Sequence, residues 1–146
     1  MSVRILSVDD SGMVRKAVRR AFAPFACDVV EAENGQIALE SAGQTPPDLI
    51  VLDYNMPVMN GLEMLVALRA DPQLKRTKVI MLTANSNPET VAAVGRLGVR
   101  DYITKPFEAE TLVTKAARLV SLVPKAEAPA PATSDTATPA APPPPI

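Results

Sequence analysis

The run Leu49-Ile50-Val51-Leu52 constrains the fold of this chain more than any other stretch. Four consecutive apolar residues are typical of a strand that is buried on both faces, as in a parallel sheet covered by helices. The run ends at Asp53, and the loop that follows contains Pro57, which interrupts regular strand pairing. Because ligands bind at the carboxyl ends of strands in open α/β sheets, Asp53 is the first candidate for a functional residue.

Strand-like and helix-like patterns alternate five times along the chain. Besides the central run, short β-rich segments occupy residues 3–8, 27–32, 78–83 and 101–104. The first helical pattern has apolar residues at i, i+3, i+4, i+7, i+8 and i+11, namely Val14, Ala17, Val18, Ala21, Phe22 and Phe25. The alternation predicts an α/β fold with a five-stranded, doubly wound parallel sheet and helices on both faces.

Glycine and proline mark the expected limits of the later helices. We expect the second helix to stop at Gly43, and the fourth to begin at Asn87-Pro88 and end at Gly98. Gly95 lies inside the fourth helix and weakens it by roughly 1 kcal/mol relative to Ala, so we expect this helix to be the least stable of the five. The third helix offers Leu62, Leu65, Val66 and Leu68 for packing, and the last helix spans about Glu108 to Val123.

The composition changes sharply after residue 123. With 47% hydrophobic residues, the 146-residue chain has enough apolar surface for one domain of ordinary size, which we place at residues 1–123. Residues 124–146 are rich in Pro and Ala and show no apolar periodicity. This composition predicts a disordered or polyproline II tail that acts as a tether or linker.

The composition also excludes several classes of function. The chain has no His, which rules out His-based acid–base chemistry, His metal ligands and a phosphohistidine carrier. A net charge of −1 gives no broad basic surface for nucleic acid. Cys27 is the single cysteine and is expected to be a packed thiol in a reducing compartment. Neither a signal-peptide core nor a membrane-spanning run is present, so we expect a cytoplasmic protein.

Chemistry-bearing side chains follow four of the five predicted strands. They are Asp9 and Asp10 after the first strand, Asp53 after the third, Thr83 at the end of the fourth and Lys105 after the fifth. Three converging carboxylates repel one another and require a cation, and oxygen ligands without His or Cys suit Mg²⁺. A lysine and a hydroxyl at the same edge bind anions. The set predicts a site for Mg²⁺ and a phosphoryl group together, with a carboxylate able to attack phosphorus.

Four sequence motifs together indicate a family that this chain resembles. VDDS at 8–11, VLDYNMPVMNG at 51–61, MLTA at 81–84 and YITKPF at 102–107 agree in order and spacing with the receiver domain of bacterial two-component response regulators. The match covers about residues 3–123. The chain most resembles the stand-alone, chemotaxis-type receivers, which implies a flavodoxin-like (βα)5 fold with strand order 2-1-3-4-5.

The resemblance implies a role for each matching residue. Asp53 would be the phosphoacceptor, and Asp10, Asp53 and the backbone carbonyl of Asn55 would hold Mg²⁺ directly, with Asp9 acting mainly through water. Two further residues, Thr83 and Lys105, would bind the phosphoryl oxygens. The Lys105-Pro106 peptide bond would be cis, and Tyr102 would be the aromatic that moves inward with Thr83 as the switch.

The resemblance also implies partners. A sensor histidine kinase or phosphotransfer protein would supply the phosphoryl group from a phosphohistidine. A downstream protein would bind the face formed by the fourth helix, fifth strand and fifth helix, where family members also dimerise on phosphorylation. The protein would be a switch, catalysing only its own phosphoryl transfer and autodephosphorylation, and it would bind neither nucleic acid nor membrane.

Some other interpretations of the same residues stay open, and others are excluded by particular residues. Asp9, Asp10 and Ser11 could cap the first helix, and Lys105 or Tyr102 taken alone could be a surface charge or a core aromatic. A flavodoxin-like nucleotide binder would need an electropositive loop where this chain has two acids. A turnover phosphatase would carry a second acid two residues after Asp53, where Asn55 lies. A phosphorylation-independent, receiver-like adaptor remains the alternative.

Overall fold

The computed structural model describes residues 3–56, 59–84, 88–99 and 101–125. Pro57, the helix start expected at Asn87 and the tail from residue 126 lie outside these ranges. Strands and helices alternate in the described ranges as β1 (Val3–Val8), α1 (Gly12–Phe22), β2 (Cys27–Ala32), α2 (Gly35–Gln44), β3 (Leu49–Asp53), α3 (Gly61–Ala70), β4 (Lys78–Thr83), α4 (Pro88–Arg96), β5 (Asp101–Thr104) and α5 (Ala109–Leu119). No helix in this described part of the chain is both long and apolar enough to cross a membrane.

The five strands form one parallel sheet in the order β2-β1-β3-β4-β5. The central strand is β3, and all five of its residues are buried, as its unbroken apolar run predicted. The predicted flavodoxin-like fold and its strand order are confirmed. Because every strand points the same way, the residues after Val8, Asp53, Thr83 and Thr104 come to one edge of the sheet.

A hydrophobic cluster lies on each face of this sheet. Successive residues of the central strands point to opposite faces, so Leu49 and Val51 enter one cluster while Ile50 and Leu52 enter the other. The first cluster also contains apolar residues of α1 and α5, namely Val18, Ala21, Phe22, Leu112 and Ala116. The second contains residues of α2, α3 and α4, among them Ala38, Ala42, Met64, Leu65, Leu68 and Val94.

Three expected helix limits and one expected packing position are wrong. Helix α2 continues through Gly43 to Gln44, because this glycine lies on an exposed surface where helical geometry is tolerated. Val66 is 52% exposed, and the core position that it was expected to fill is taken by Met64. Helix α4 ends at Arg96, two residues before the expected end at Gly98, whose φ of +85° favours glycine. Helix α5 ends at Leu119, four residues short of Val123.

The backbone remains paired beyond α5, at the sheet edge opposite Asp53. Phe25 and Pro124 form an antiparallel bridge, with the Ala26 N–H donating to Val123 O at 2.7 Å. The Lys125 N–H donates to Pro24 O at 2.8 Å on the other side of the bridge. The described chain is therefore fixed to the domain through Lys125, two residues past the predicted domain limit.

Gly61 allows α3 to begin directly against the backbone of Asp53. A Cβ atom at this position would lie 2.6 Å from Asp53 O and 2.8 Å from Tyr54 Cα. The Gly61 N–H donates to Tyr54 O at 2.9 Å, so the helix start also holds the loop that carries Asp53. A reciprocal capping box between Asn60 and Glu63 fixes this helix start. The position of Asp53 thus depends on a close backbone contact that only glycine allows.

We expect Gly61→Ala and Gly95→Ala to change stability in opposite directions. Gly61→Ala should lower the free energy of unfolding by about 1–3 kcal/mol, because the added methyl group collides with fixed backbone. Gly95→Ala should raise it by about 1 kcal/mol, since nothing lies within 4 Å of its Cβ position and Ala favours the helix. Urea unfolding of both variants checks this. Equal effects of the two substitutions would contradict the close contact at Gly61.

Candidate functional site

Backbone contacts between neighbouring strands place the predicted site residues at one edge of the sheet. The Asp9 N–H donates to Ala32 O at 3.1 Å, which extends the β1–β2 pairing to the first acid. Asp53 is the last residue of β3, and Thr83 is the last residue of β4. The Lys105 N–H donates to Thr83 O at 2.8 Å, which fixes this lysine beside the end of β4.

The three acids converge as the sequence predicts. Asp9, Asp10 and Asp53 each offer a carboxylate oxygen, and these oxygens all lie within 4.8 Å of one another. Asp9 and Asp53 are buried, each 1% exposed, whereas Asp10 is exposed to solvent. Thr83 is also buried, at 2% exposed. Two carboxylates are therefore removed from water within a few ångströms of each other.

Lys105 compensates part of this negative charge. Its Nζ lies 3.0 Å from Asp9 Oδ2 and 3.0 Å from Asp53 Oδ1, so one ammonium bridges the two buried acids. Burial alone would lower the pKa of Lys105, but its hydrogen bonds to Asp53 and Asp9 outweigh that effect and the pKa is raised. Lys105 is therefore a fixed positive charge at the site rather than a solvated surface lysine.

The two oxygens of Asp53 have different surroundings. Oδ1 contacts Lys105 and accepts a hydrogen bond from the Asn55 N–H at 3.3 Å. Oδ2 is buried and has no hydrogen-bond partner among the described residues. Burial raises the pKa of Asp53 from 3.8 to about 6, with the Lys105 hydrogen bond acting in the opposite direction and the Asp9 charge adding to the increase. One oxygen is held while the other keeps a free lone pair.

These donors fit Mg²⁺. The cluster offers oxygen atoms alone, with one acid exposed to accept a hydrated ion and with a buried carboxylate oxygen that lacks a partner. One ammonium cannot neutralise three carboxylates, so a divalent cation would remove the remaining repulsion. Asp9, Asp10 and Asp53 are the side chains that would hold the ion.

The remaining predicted residues lie around this cluster. The side chain of Asn55 is exposed, and its backbone N–H contacts Asp53. Tyr102 lies on β5, partly buried against the cluster beneath α2, α3 and α4. Ser11 does cap α1, because its Oγ accepts a hydrogen bond from the Val14 N–H at 3.3 Å. The Lys105-Pro106 peptide bond is cis, as the resemblance implied.

A group of charged residues beside the acids was missed. Arg15 and Arg19, on the polar face of α1, both form ion pairs with Glu31 on β2. Arg15 also donates from Nη1 to the backbone carbonyl of Asp9. Helical periodicity identifies the polar face of α1 but not which strand it meets, so the sequence pattern carried no signal for this contact.

Comparisons with known proteins agree with this geometry. The model of the response regulator receiver domain matches residues 5–117. The chain is 36% identical over 115 residues to chemotaxis protein CheY-3 of Vibrio cholerae, covering 78% of this chain and 88% of that protein. It is 33% identical over 122 residues to chemotaxis protein CheY of Pseudomonas aeruginosa, covering 83% and 98%.

Solved structures show the same architecture. Vibrio cholerae chemotaxis protein CheY4 superposes with a TM-score of 0.78 at 34% identity, covering 82% of this chain and all of that one. The BeF3-activated receiver domain of DrrB superposes with a TM-score of 0.73 at 28% identity, covering 82% and 97%. The family model spans most of the chain, and relatives of more than 30% identity match at least 78% of it, so this protein belongs to the response regulator receiver family.

Proposed function

We propose that this protein is a phosphorylation-activated signalling switch in which Asp53 accepts a phosphoryl group from a phosphohistidine. The donor would be a sensor histidine kinase or a phosphotransfer protein. The observation that carries the proposal is the unequal environment of the Asp53 carboxylate. Lys105 and the Asn55 N–H hold Oδ1, while Oδ2 keeps an unpaired lone pair suited to attack on phosphorus.

The chemistry balances without a further reactant. The bond between an Asp53 oxygen and phosphorus forms as the phosphorus–nitrogen bond of the donor breaks. The electron pair stays on the ring nitrogen, and a proton from the solvent completes the neutral imidazole. Because Oδ2 is buried, it has to become exposed before a phosphoryl donor can reach it. Bound Mg²⁺ would neutralise charge on the acids and on the transferred phosphoryl group.

Residues at the ends of β4 and β5 would bind the transferred group. The Lys105 ammonium, now 3.0 Å from both Asp9 and Asp53, would pair with a phosphoryl oxygen. The Thr83 hydroxyl would donate a hydrogen bond to another oxygen, since Thr83 ends the strand beside β3. The Asn55 carbonyl would complete the Mg²⁺ ligands.

The readout would occur on the face formed by α4, β5 and α5. Movement of Thr83 toward the phosphoryl group would leave room for Tyr102, which lies partly buried on the neighbouring strand. Helix α4 is suited to respond, because Val94 is its one fully buried residue in the described range and Gly95 lowers its helix propensity. A downstream protein or a second copy of the chain would recognise the rearranged face.

Intact-protein mass spectrometry after incubation with acetyl phosphate tests the phosphoacceptor. We expect a single phosphoryl adduct on the wild type that requires Mg²⁺. Asp53→Asn should show none, and Asp28→Asn, which changes an exposed aspartate on β2, should behave as wild type.

Beryllofluoride provides a second test of the acceptor site, because the DrrB receiver domain has a BeF3-activated structure. A wild-type protein that forms an adduct with neither reagent would contradict the switch. The phosphorylation-independent adaptor would then replace it. An adduct that persists in Asp53→Asn would place the acceptor elsewhere.

Asp53→Asn should also stabilise the protein in Mg²⁺-free buffer near neutral pH. The raised pKa means that the folded state binds the Asp53 proton more tightly than the unfolded state, so wild-type stability falls as pH rises from about 4 to about 6. The variant lacks this loss. Its free energy of unfolding should exceed that of the wild type by about 1–3 kcal/mol above that pH range and differ little below it. Urea unfolding across this pH range measures the difference. A variant that is less stable at neutral pH would contradict the electrostatic strain.

Saturating Mg²⁺ should remove that difference. A ligand that binds only the folded state stabilises it in proportion to the logarithm of its concentration over the dissociation constant. We therefore expect Mg²⁺ to raise the unfolding free energy of the wild type more than that of Asp53→Asn. Equal effects on both proteins would show that Asp53 does not hold the ion.

A further inference from the structure

Arg15 joins two elements that meet beside the acidic site. On helix α1, its Nη1 donates to the backbone carbonyl of Asp9 at 2.5 Å, and its Nε donates to Glu31 Oε1 at 3.0 Å. Glu31 lies on β2, which is an edge strand of the sheet. The Arg15 side chain is only 19% exposed. It therefore bridges the edge strand and the segment that carries two of the three acids.

The carbonyl that Arg15 contacts belongs to the peptide joining Asp9 to Asp10. The orientation of this peptide sets the direction in which both side chains leave the backbone. Three further contacts hold the same segment, from the Asp9 N–H to Ala32 O, from the Ser11 N–H to Asp9 Oδ1 and from Lys105 Nζ to Asp9 Oδ2. Among these groups, the Arg15 guanidinium is the side chain that contacts the Asp9–Asp10 peptide group itself.

We propose that Arg15 is a positioning residue for the Mg²⁺ and phosphoryl site. It holds the Asp9–Asp10 peptide so that both carboxylates face Asp53, and Glu31 fixes the guanidinium in turn. The inference rests on the proposed function, because it concerns the same metal site. Groups that orient metal ligands through such contacts commonly change metal affinity by 10–100-fold when they are removed.

Arg19 provides a matched control on the same helix. It pairs with the same carboxylate, donating from Nε and Nη2 to Glu31 Oε2 at 3.0 and 2.5 Å. Its side chain is 53% exposed, and in the described part of the chain its hydrogen bonds all go to Glu31. Arg19→Gln thus removes the same charge and loosens the same strand without touching Asp9.

The sign of the effect separates positioning from plain electrostatics. A positive charge near a cation site repels the cation, so removing Arg15 would strengthen Mg²⁺ binding if charge alone mattered. If Arg15 orients the Asp9–Asp10 peptide, its removal weakens binding despite the lost repulsion. Arg15→Lys keeps the charge, but a single ammonium cannot contact both Glu31 and the Asp9 carbonyl as the guanidinium does.

Isothermal titration calorimetry with Mg²⁺ on the full chain tests the proposal. We expect the dissociation constant to rise about tenfold in both Arg15→Gln and Arg15→Lys, and to change less than about twofold in Arg19→Gln. Glu31→Gln should weaken binding as well, and Arg15→Gln combined with Glu31→Gln should lose no more than Arg15→Gln alone. Amide chemical shifts of Asp10 and Ser11 in the Mg²⁺-free protein should move in the Arg15 variants and stay in place in Arg19→Gln.

Each other result decides against the proposal. Unchanged or tighter binding in the Arg15 variants, or an equal loss in Arg19→Gln, overturns it while the proposed function stands. A folded wild type that binds no Mg²⁺ overturns the metal site and the positioning role together. Thermal unfolding verifies that each variant is folded, and Arg15→Lys supplies the answer if Arg15→Gln does not fold.

Discussion

The fold of this protein gathers more negative charge at one edge of its sheet than it neutralises. Asp9 and Asp53 are buried, Asp10 lies beside them, and Lys105 bridges the two buried acids. One ammonium against three carboxylates leaves an uncompensated charge in a region shielded from water, where Coulomb interactions are strong. Burial raises the pKa of Asp53, and the Asp9 charge adds to this increase. The uncompensated carboxylates suit the site to a divalent cation.

A rigid sheet is what makes this imbalance tolerable. Central strand β3 is buried along its full length between two hydrophobic clusters, so the end that carries Asp53 cannot relax away from Asp9. Gly61 adds a second constraint, because α3 begins in direct contact with the Asp53 backbone. Packing energy distributed over both clusters therefore holds in place a few charges that would otherwise separate.

The sequence predicted the parts of this structure that depend on local patterns. Every strand was located, because short β-rich segments alternate with longer segments of helical periodicity along the chain. The acids, Thr83 and Lys105 followed from the shared direction of the strands. Some details of the helices did not follow from local pattern, since Gly43 is tolerated on the exposed face of α2 and Val66 lies on the solvent side of α3. The contact of Arg15 with Glu31 spans sixteen residues and leaves no periodic signal.

The two sides of the site are held by different interactions, and this difference would give the proposed switch a direction. On the β2 side, hydrogen bonds and ion pairs through Arg15 fix the Asp9–Asp10 segment. On the other side, Thr83 ends β4, and the neighbouring β5 carries Tyr102, which is only partly buried. Helix α4, which comes after β4 in the chain, has one fully buried residue in its described range. A charge added at Asp53 acts on both sides, but the less constrained side yields first. We therefore expect phosphorylation to be transmitted toward α4 and β5 rather than toward β2.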